Sequence, residues 1–417
     1  MKTYYGWHIV AISVLALSLA IGGSIQAFGL FVLPVSQEFH LTRAQVNTGA
    51  ILFNVGMAVV GPVLGRILDR HSAKRMMMIS AVLFGVSMVA LGVSQNVWLS
   101  AAIIAVPLAA AAVGCGTVTS PTLVARWFTA YRGRAMAIAM MGVSLGPVVV
   151  VPLISLLIEA VGWRQSLVIA GACIGGILFL LALLVRERPG PHDVEVRSGG
   201  ASGDEAAHEA GDGTPLLSMG ELLRLPQFWT ISLSVALAFG IMQVVIVSLV
   251  PYGQGEGLPL TQAASLISMY GGSALVGSLL LAWMGDRFDR LALLVVLMVL
   301  FALAGTSLLL ATSYPLMLAC TGAFGVIGGM ITPAFLALLA DRFGAASFGT
   351  ANGTASFLST IISAGCIRAA GEMFDRTGDY ELTFLSIGAI GLLAAVMMLA
   401  TNPLSRSPIR KETSISA

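Results

Sequence analysis

The chain has 417 residues, of which 57% are hydrophobic and only 10% are charged, and its formal net charge is +2. Soluble domains carry about 25% charged residues, and so little charge could not cover a core this apolar in water. The composition therefore excludes a soluble enzyme and a nucleic-acid-binding protein. No metal-binding spacing relates the four cysteines, and the five histidines form no cluster. We expect no metal site and no cofactor.

Twelve apolar runs follow one another along the chain. Each is close to the roughly 20 residues that a helix needs to cross the hydrocarbon core of a bilayer. The runs are 7–34, 45–66, 76–95, 98–125, 133–158, 165–185, 227–251, 261–284, 291–312, 314–340, 347–373 and 380–402. The first is too long for a cleaved signal peptide. These runs predict an all-α integral membrane protein with twelve transmembrane helices.

A single long polar break interrupts the series. Residues 187–222 are rich in glycine, alanine and acidic residues, a composition typical of a flexible linker. The linker divides the chain into an N-terminal bundle of six helices (1–186) and a C-terminal bundle of six helices (223–404). A short polar tail, 405–417, follows the last helix.

The basic residues predict the orientation in the membrane. With the N-terminus inside, 18 of the 22 lysines and arginines fall on the cytoplasmic side, as the positive-inside rule requires. We therefore expect both termini to be cytoplasmic, in a plasma membrane of the bacterial inner-membrane type.

The two predicted bundles repeat local patterns at corresponding places. The fifth run ends in Ile158-Glu159-Ala160-Val161-Gly162 and the eleventh in Phe374-Asp375-Arg376-Thr377-Gly378. Gln26 stands eight residues before Pro34, and Gln243 stands eight residues before Pro251. A twofold repeat of six helices is a transporter architecture in which the substrate binds between the halves, near the middle of the membrane.

The loop after the second run carries the most specific motif. Gly65-x-x-x-Asp69-Arg70, followed by Lys74-Arg75, resembles the loop motif of the major facilitator superfamily, and Asp286-Arg287 repeats part of it in the second half. The resemblance covers about 7–402 and implies two pseudo-symmetric six-helix bundles.

Short loop segments also resemble the monocarboxylate porter and oxalate/formate antiporter branch. They are Tyr5-Gly6-Trp7, Trp127-Phe128, Arg132-Gly133-Arg134, Gly162-Trp163-Arg164, Arg342-Phe343-Gly344, Phe348-Gly349-Thr350-Ala351-Asn352-Gly353 and Asp375-x-Thr377-Gly378-x-Tyr380. This resemblance implies a small organic anion, a monocarboxylate, as the substrate. One departure stands out: many members of that branch carry a substrate-binding arginine in a Gly-Arg pair that falls here on Gly277-Ser278.

Arg368 is the one basic residue that lies inside a predicted span away from its ends. An ionisable group there is costly and indicates a function. We predict that Arg368 binds the substrate anion or serves a gate. The alternative is a structural role, as an ion pair with Glu372 one turn later or as a side chain extended to the interface. Glu372 is the candidate proton acceptor if transport is coupled to protons.

Polar residues within the spans are further candidates for substrate binding. They are Gln26, Gln243, Tyr270, Asn54, Thr117 and Thr119. The alternative is that the glutamines and the tyrosine pack between helices and that the threonines bond to their own backbone.

The loop motif supplies candidate gating residues. They are Gly65, Asp69, Arg70, Lys74, Arg75, Asp286 and Arg287. A carboxylate such as Asp69 can cap a neighbouring helix N-terminus in one state and release it in another. The alternative reading of the basic residues is membrane topology alone.

These observations together predict a secondary transporter of a small organic anion that works by alternating access, as a monomer, with proton coupling or anion exchange. No phosphate-binding glycine-rich loop is present in the sequence, so ATP is not the expected energy source. The alternative function is export of an apolar drug or metabolite by the same fold.

Overall fold

The structure is a computed structural model that describes residues 5–128, 132–187, 219–284, 289–311 and 313–401, without the side chains at 69, 132, 133, 219, 340 and 344–349. Within these residues, twelve helices are long and apolar enough to cross a membrane. The first half contains α1 (Gly6–Phe39), α2 (Arg43–Leu68), α3 (Ala73–Val93), α4 (Val97–Trp127), α5 (Arg134–Val161) and α6 (Trp163–Leu184). The second half contains α7 (Pro226–Gly255), α8 (Leu260–Met284), α9 (Arg290–Leu310), α10 (Tyr314–Phe343), α11 (Thr350–Thr377) and α12 (Glu381–Leu399).

The two ends of the bundle are distinguished by the helices that begin or end there. We call the end at which α1 begins and α6 leads toward α7 the linker side, and the opposite end the far side. Successive helices alternate in direction, so α2, α4 and α8 begin on the far side, and α5 and α11 end there.

Local capping explains where the helices begin and end. Thr42 accepts a hydrogen bond from the backbone of Gln45, whose side chain accepts one from Thr42 in return, so a capping box begins α2. Asn96 caps the first turn of α4 in a similar way. Gly378 follows α11 with φ 83°, a left-handed conformation that favours glycine.

The observed boundaries differ most from the expected ones in two places. A short helix, Met219–Arg224, begins inside the stretch predicted as linker (187–222) and ends two residues beyond it, and its Leu222 is fully buried. The first helix continues to Phe39, five residues beyond the expected end, with Pro34 inside it. Proline lacks the backbone donor but does not prevent a helix when neighbouring segments adjust.

Two helices of the first half contain π-helical turns. Gly22–Gln26 interrupts α1, and Ile104–Leu108 and Val113–Thr117 interrupt α4. Pro107 lies in the first of the α4 turns, where its missing N–H already disturbs the regular ladder. Single π-turns inside α-helices are frequent at functional sites.

Close helix packing within each half follows the internal repeat. A Cβ added to Gly56 of α2 would clash with the carbonyl oxygen of Ala105 in α4. In the corresponding helix pair of the second half, a Cβ on Gly277 of α8 would clash with the carbonyl oxygen of Val326 in α10. The neighbouring Ser278 donates to the carbonyl of Gly329, also in α10. Small residues thus allow the helix backbones of each half to touch.

Candidate functional site

The two halves meet from the middle of the bundle to the far side. Among the described residues, three pairs of helices make most of these contacts: α2 with α11, α5 with α8, and α1 with α7. Described basic residues near the linker side bond within their own half: Lys74 and Arg126 donate to the carbonyls of Leu183 and Leu68. Arg290 forms an ion pair of 2.6 Å with Asp341. The structure is therefore closed on the far side.

A carboxylate from one half caps a helix of the other where α2 meets α11. Asp375 Oδ1 accepts a hydrogen bond from the backbone N–H of Arg43 at 2.7 Å, and Oδ2 accepts one from Ala44 at 2.9 Å. Together with Thr42, Asp375 satisfies the first N–H groups of α2, and its charge is favourable at the positive end of the helix dipole.

Close packing surrounds this cap. Gly371 lies one turn before Asp375, and a Cβ placed on it would come within 2.6 Å of the Cα of Ala44. The guanidinium of Arg43 lies over the ring of Phe374 at 5.0 Å. Burial raises the pKa of Tyr380 to about 12, opposed in part by the charge of Arg43, so the Tyr380 hydroxyl adds no charge here near neutral pH.

The contact between α5 and α8 repeats this arrangement. Glu159 Oε1 accepts a hydrogen bond from the backbone N–H of Thr261, in the first turn of α8, at 3.0 Å. Ser268 donates to the carbonyl of Pro147 at 2.8 Å, and a Cβ on Gly271 would lie 2.7 Å from the Cβ of Pro147. In each half, the acid near the end of the fifth helix thus caps the second helix of the other half.

Amide side chains join the halves near the middle of the bundle. Gln243 Nε2 of α7 donates to Asn54 Oδ1 of α2 at 3.2 Å, and Asn54 Nδ2 donates to the carbonyl of Ala50. Asn54 is eleven residues into α2, so this pair lies about 16 Å from the far end. Two polar groups at this depth are suitable ligands for a substrate bound between the halves.

Gln26 is not part of that pair, although it corresponds to Gln243 in the repeat. Its Nε2 donates to the carbonyl of Val143 in α5 at 3.0 Å, and the residue is 7% exposed. Its Oε1 is buried, with no hydrogen-bond partner among the described residues. Gln26 therefore joins two helices of the first half in this conformation, and its role as a substrate ligand stays a prediction.

The other candidates on α4 and α8 have different surroundings. Thr119 is fully buried and donates to the carbonyl of Gly114 of its own helix at 2.5 Å. Thr117 is half-buried, at the end of a π-turn. Tyr270 is 7% exposed and packs near Phe324, with ring centroids 6.0 Å apart. Thr117 is thus the most accessible of the three in this state.

Arg368 lies with the far-side contacts rather than with the central amides. Its Nη1 donates to the carbonyl of Ala44 at 3.3 Å, and its Nε is 3.6 Å from Glu372. Half of the Arg368 side chain, 48%, is exposed. Glu372 is equally close to Arg376. A long side chain on α11 reaches toward the end of the span, which removes its charge from the apolar middle.

The motif residues on the linker side are only partly described. Arg70 and Arg75 are exposed, and a Cβ on Gly65 would meet nothing within 4 Å. The Asp69 side chain, Asp286 and Arg287 lie outside the described residues. A latch at this end therefore stays a prediction.

The sequence pattern indicates no role for Glu159 and Asp375, the two carboxylates that close the far side. Glu159 and Asp375 were visible as corresponding acids near the ends of the fifth and eleventh runs. Their partners are backbone N–H groups, which leave no signature in a sequence. The contacts can be identified only from the tertiary structure, which places the first turns of α2 and α8 beside Asp375 and Glu159.

The central amide pair allows a direct test. We expect Gln243→Met and Asn54→Leu each to raise the population of molecules that are open on the far side. The double variant should raise this population by less than the sum of the two single effects, because each single change removes the same hydrogen bond. A hydrogen bond contributes about 0.5–1.5 kcal/mol. Distances between spin labels at Val93 and Leu310, exposed far-side ends of α3 and α9, measure the populations in a cysteine-free background. Strictly additive effects would contradict the coupling.

A twelve-helix bundle of two repeated halves, closed on one side by exchanged helix caps, defines a membrane transporter rather than an enzyme. The model of the Major Facilitator Superfamily matches residues 12–280 and 257–416 of this chain. The chain belongs to this superfamily, and the family and fold class predicted from the sequence are confirmed.

Curated relatives include transporters from animals and bacteria. Monocarboxylate transporter 12 of Rattus norvegicus is 27% identical over 302 residues, covering 66% of this chain and 61% of that protein. Monocarboxylate transporter 13 of Bos taurus is 27% identical over 412 residues, covering 96% and 89%. An uncharacterized MFS-type transporter of Bacillus subtilis, YcxA, is 22% identical, covering 89% and 90%. The chain spans about three-fifths of the length of the monocarboxylate transporter 12 proteins that it matches.

Solved structures share the fold at low identity. A D-xylose-proton symporter superposes with a TM-score of 0.74 at 18% identity, covering 94% of this chain and 97% of that chain. A bacterial homologue of the lysosomal transporter Spinster gives a TM-score of 0.69 at 16% identity, with full coverage of both chains. These similarities support the fold, in which the described residues form twelve helices long enough to span a membrane.

Proposed function

We propose that this chain is a secondary active transporter that carries a small organic anion, a monocarboxylate, by alternating access. The observation that carries the proposal is the pair of exchanged caps, Asp375 on α2 and Glu159 on α8. Such contacts hold one side of the membrane closed through a few hydrogen bonds, so a modest free energy can release them and open that side.

The names of the relatives support the substrate class. Proteins named monocarboxylate transporter 12 and 13 match at 26–27% identity, and the sequence motifs point to the same branch. A carboxylate that leaves water needs compensating donors or a cation. Asn54 and Gln243 offer amide donors at mid-span, with Thr117, Tyr270, Gln26 and Thr119 as further candidates.

Arg368 fits a role at the far-side opening. In the closed state its guanidinium reaches the carbonyl of Ala44 and the carboxylate of Glu372. When α2 and α11 separate, the bond to Ala44 breaks and the guanidinium faces the opening, where it can receive a carboxylate through two parallel hydrogen bonds. Glu372, which forms ion pairs with both Arg368 and Arg376, is the proposed proton acceptor if protons drive transport.

The opposite state requires a latch on the linker side. We propose that Asp69 and the motif residues Gly65, Arg70, Lys74 and Arg75 form it, with Asp286 and Arg287 as the counterpart in the second half. The linker side is then cytoplasmic, in a bacterial plasma membrane, and the working unit is a monomer. The energy source is a proton gradient or exchange for another anion.

A second candidate is export of an apolar drug or metabolite. The observation that favours it is the chemistry of the central junction, where the described contacts between the halves are made by neutral amides and Arg368 lies toward the far end. Neutral ligands match an apolar or weakly polar substrate as well as a carboxylate.

Uptake into proteoliposomes separates the two candidates. We expect saturable uptake of radiolabelled L-lactate or pyruvate, no competition by methyl lactate, and stimulation by an inward proton gradient or by a counter-anion loaded inside. Transport of a hydrophobic dye without transport of any of several monocarboxylates would reject the anion proposal in favour of the exporter.

Arg368→Gln tests the cation, with Arg376→Gln as its matched control. Both arginines lie on α11 and both are 3.6 Å from Glu372, but Arg376 is 79% exposed. We expect Arg368→Gln to lower the kcat/KM of monocarboxylate uptake at least tenfold, about 1.4 kcal/mol, and Arg376→Gln to change it less than twofold. Equal effects of the two variants would exclude a specific role for Arg368.

A further inference from the structure

A separate cavity of about 330 Å³ lies inside the first half of the protein. Its walls come mainly from α1, α2 and α4, with two residues each from the far-side ends of α3 and α6. Asn54 and Gln243 do not line it, and neither does any described residue of the second half. The cavity is therefore distinct from the junction at which the proposed substrate binds.

The cavity spans one half of the membrane thickness. Trp98, 81% exposed, marks its far-side end, and Phe53 and Leu108 line its deep end. Phe53 is ten residues into α2, about 15 Å from the far end of that helix. This depth equals half of the roughly 30 Å hydrocarbon core, which is the thickness of one lipid leaflet.

Away from the far-side end, the lining offers no free hydrogen-bond donor to a polar ligand. No charged side chain is among the lining residues that the structure describes. Ser24, Thr48 and Ser100 already donate to Ala20, Ala44 and Ser94. Water needs two to four polar partners in such a space, so the cavity is unsuited to a water cluster. An organic anion would find no compensating cation there.

The size of the cavity restricts an apolar occupant further. A volume of 330 Å³ lies at the lower end of the range for small-molecule sites. A transmembrane helix, about 10 Å wide with its side chains, is too wide to enter. A flexible hydrocarbon chain one leaflet long fits both the volume and the depth, and the surrounding bilayer supplies such chains.

The far-side end suits the polar part of a lipid. The indole of Trp98 and the exposed Gln45 lie there, at the level where tryptophan commonly meets lipid headgroups. We propose that the cavity holds one acyl chain of a phospholipid from the far leaflet, with its headgroup beside Trp98. The chain would lie against the π-turns of α1 and α4, through Ile25 and Ile104.

Photocrosslinking in lipid nanodiscs tests this proposal. The probe is a phosphatidylcholine with a diazirine near the end of one acyl chain, and labelled positions are identified by peptide mass spectrometry. We expect labelling of Phe53 or Leu108, which are 2% and 5% exposed and out of reach of bulk lipid. Val106, 60% exposed on the same helix as Leu108, reports contact with bulk lipid. Labelling of Val106 without Phe53 or Leu108 would overturn the proposal.

Two adjacent alanines provide a matched pair of variants. Ala101 lines the cavity, whereas Ala102 is exposed outside it. Ala101→Phe fills the cavity and should reduce labelling of Phe53 and Leu108 at least tenfold, while Ala102→Phe should leave it unchanged. Both should retain labelling of Val106. Equal labelling of the deep positions in both variants would contradict the assignment, and the wild-type result decides if Ala101→Phe fails to fold.

A second probe distinguishes the source of the chain. A photoreactive palmitic acid, added to nanodiscs of unlabelled phosphatidylcholine, reports a free fatty acid. We expect it to label Phe53 or Leu108 at least tenfold less than the phospholipid probe does. Stronger labelling by the fatty acid would overturn the phospholipid as the occupant.

Discussion

Gly271→Ala is expected to move the protein out of the far-side-closed state, and Gly272→Ala is not. A Cβ on Gly271 would lie 2.7 Å from the Cβ and 2.8 Å from the Cγ of Pro147, and 2.8 Å from the carbonyl oxygen of Ser144. A Cβ on Gly272 would meet only Val148, at 3.6 Å. Both glycines are on α8 and both face α5 of the other half. The two variants therefore differ in the space available rather than in location.

The expected size of this population shift follows from overpacking at Gly271. Forcing a methyl group against backbone and a rigid proline ring costs typically 1–3 kcal/mol, which shifts a two-state equilibrium about five- to 150-fold. The gain in helix propensity from Gly to Ala, about 0.5–1 kcal/mol, is common to both variants and cancels in the comparison.

Spin-label distances measure this effect. With labels at Val93 and Leu310, the far-side ends of α3 and α9, Gly271→Ala should add a population at longer distance, and Gly272→Ala should reproduce the parent distribution. Uptake of the monocarboxylate that the protein transports best should fall in Gly271→Ala but not in Gly272→Ala. An unchanged distribution in Gly271→Ala would show that this glycine contact does not control closure.

Asp375→Asn combined with Glu159→Gln is the second change with a large expected effect. Asp375 accepts two backbone N–H bonds across the halves and Glu159 accepts one. Each amide keeps one acceptor oxygen but loses the charge, and asparagine also loses one of the two acceptors that Asp375 uses. The lost charge and the lost hydrogen bond together cost about 0.5–2 kcal/mol per site. Because both caps bias the same equilibrium, the double variant should favour far-side opening by roughly 1–4 kcal/mol.

Asp379→Asn is the matched control for the carboxylates. Asp379 is an exposed far-side acid that accepts a hydrogen bond from the backbone of Glu381, within its own half. This cap is the same in either state of the halves, so its loss should leave the spin-label distances unchanged. Equal responses of Asp379→Asn and Asp375→Asn would assign the effect to general charge rather than to the contact between halves.

The exchange of caps connects the repeat to the mechanism. Each half provides an acid from its fifth helix and a helix start from its second, so the far side is closed by two contacts of the same kind. Opening breaks three charge-assisted hydrogen bonds and separates close backbone contacts such as Gly371 against Ala44. Such contacts exist only in the closed state, which is the property that a gate requires.

The sequence by itself determined the class of the protein. Its twelve apolar runs have the length that a bilayer imposes on a helix, and the linker and the repeated motifs divide them into two equal halves. These features are local or periodic, so they can be read without knowing which helices touch. The sequence also located Gln243, Asn54 and Arg368 as polar residues in apolar surroundings, because burial of such groups is costly anywhere in a membrane.

Only the tertiary structure decided which of these residues meet. Gln26 and Gln243 occupy equivalent positions, yet Gln26 bonds within its half and Gln243 bonds to Asn54 across the junction. Arg368 extends to the start of α2, because its long side chain and Glu372 carry the charge toward the far side. The caps by Asp375 and Glu159 depend on backbone N–H groups, which are the same for every residue type except proline. Their partners are set by helix placement, a property that no local sequence pattern specifies.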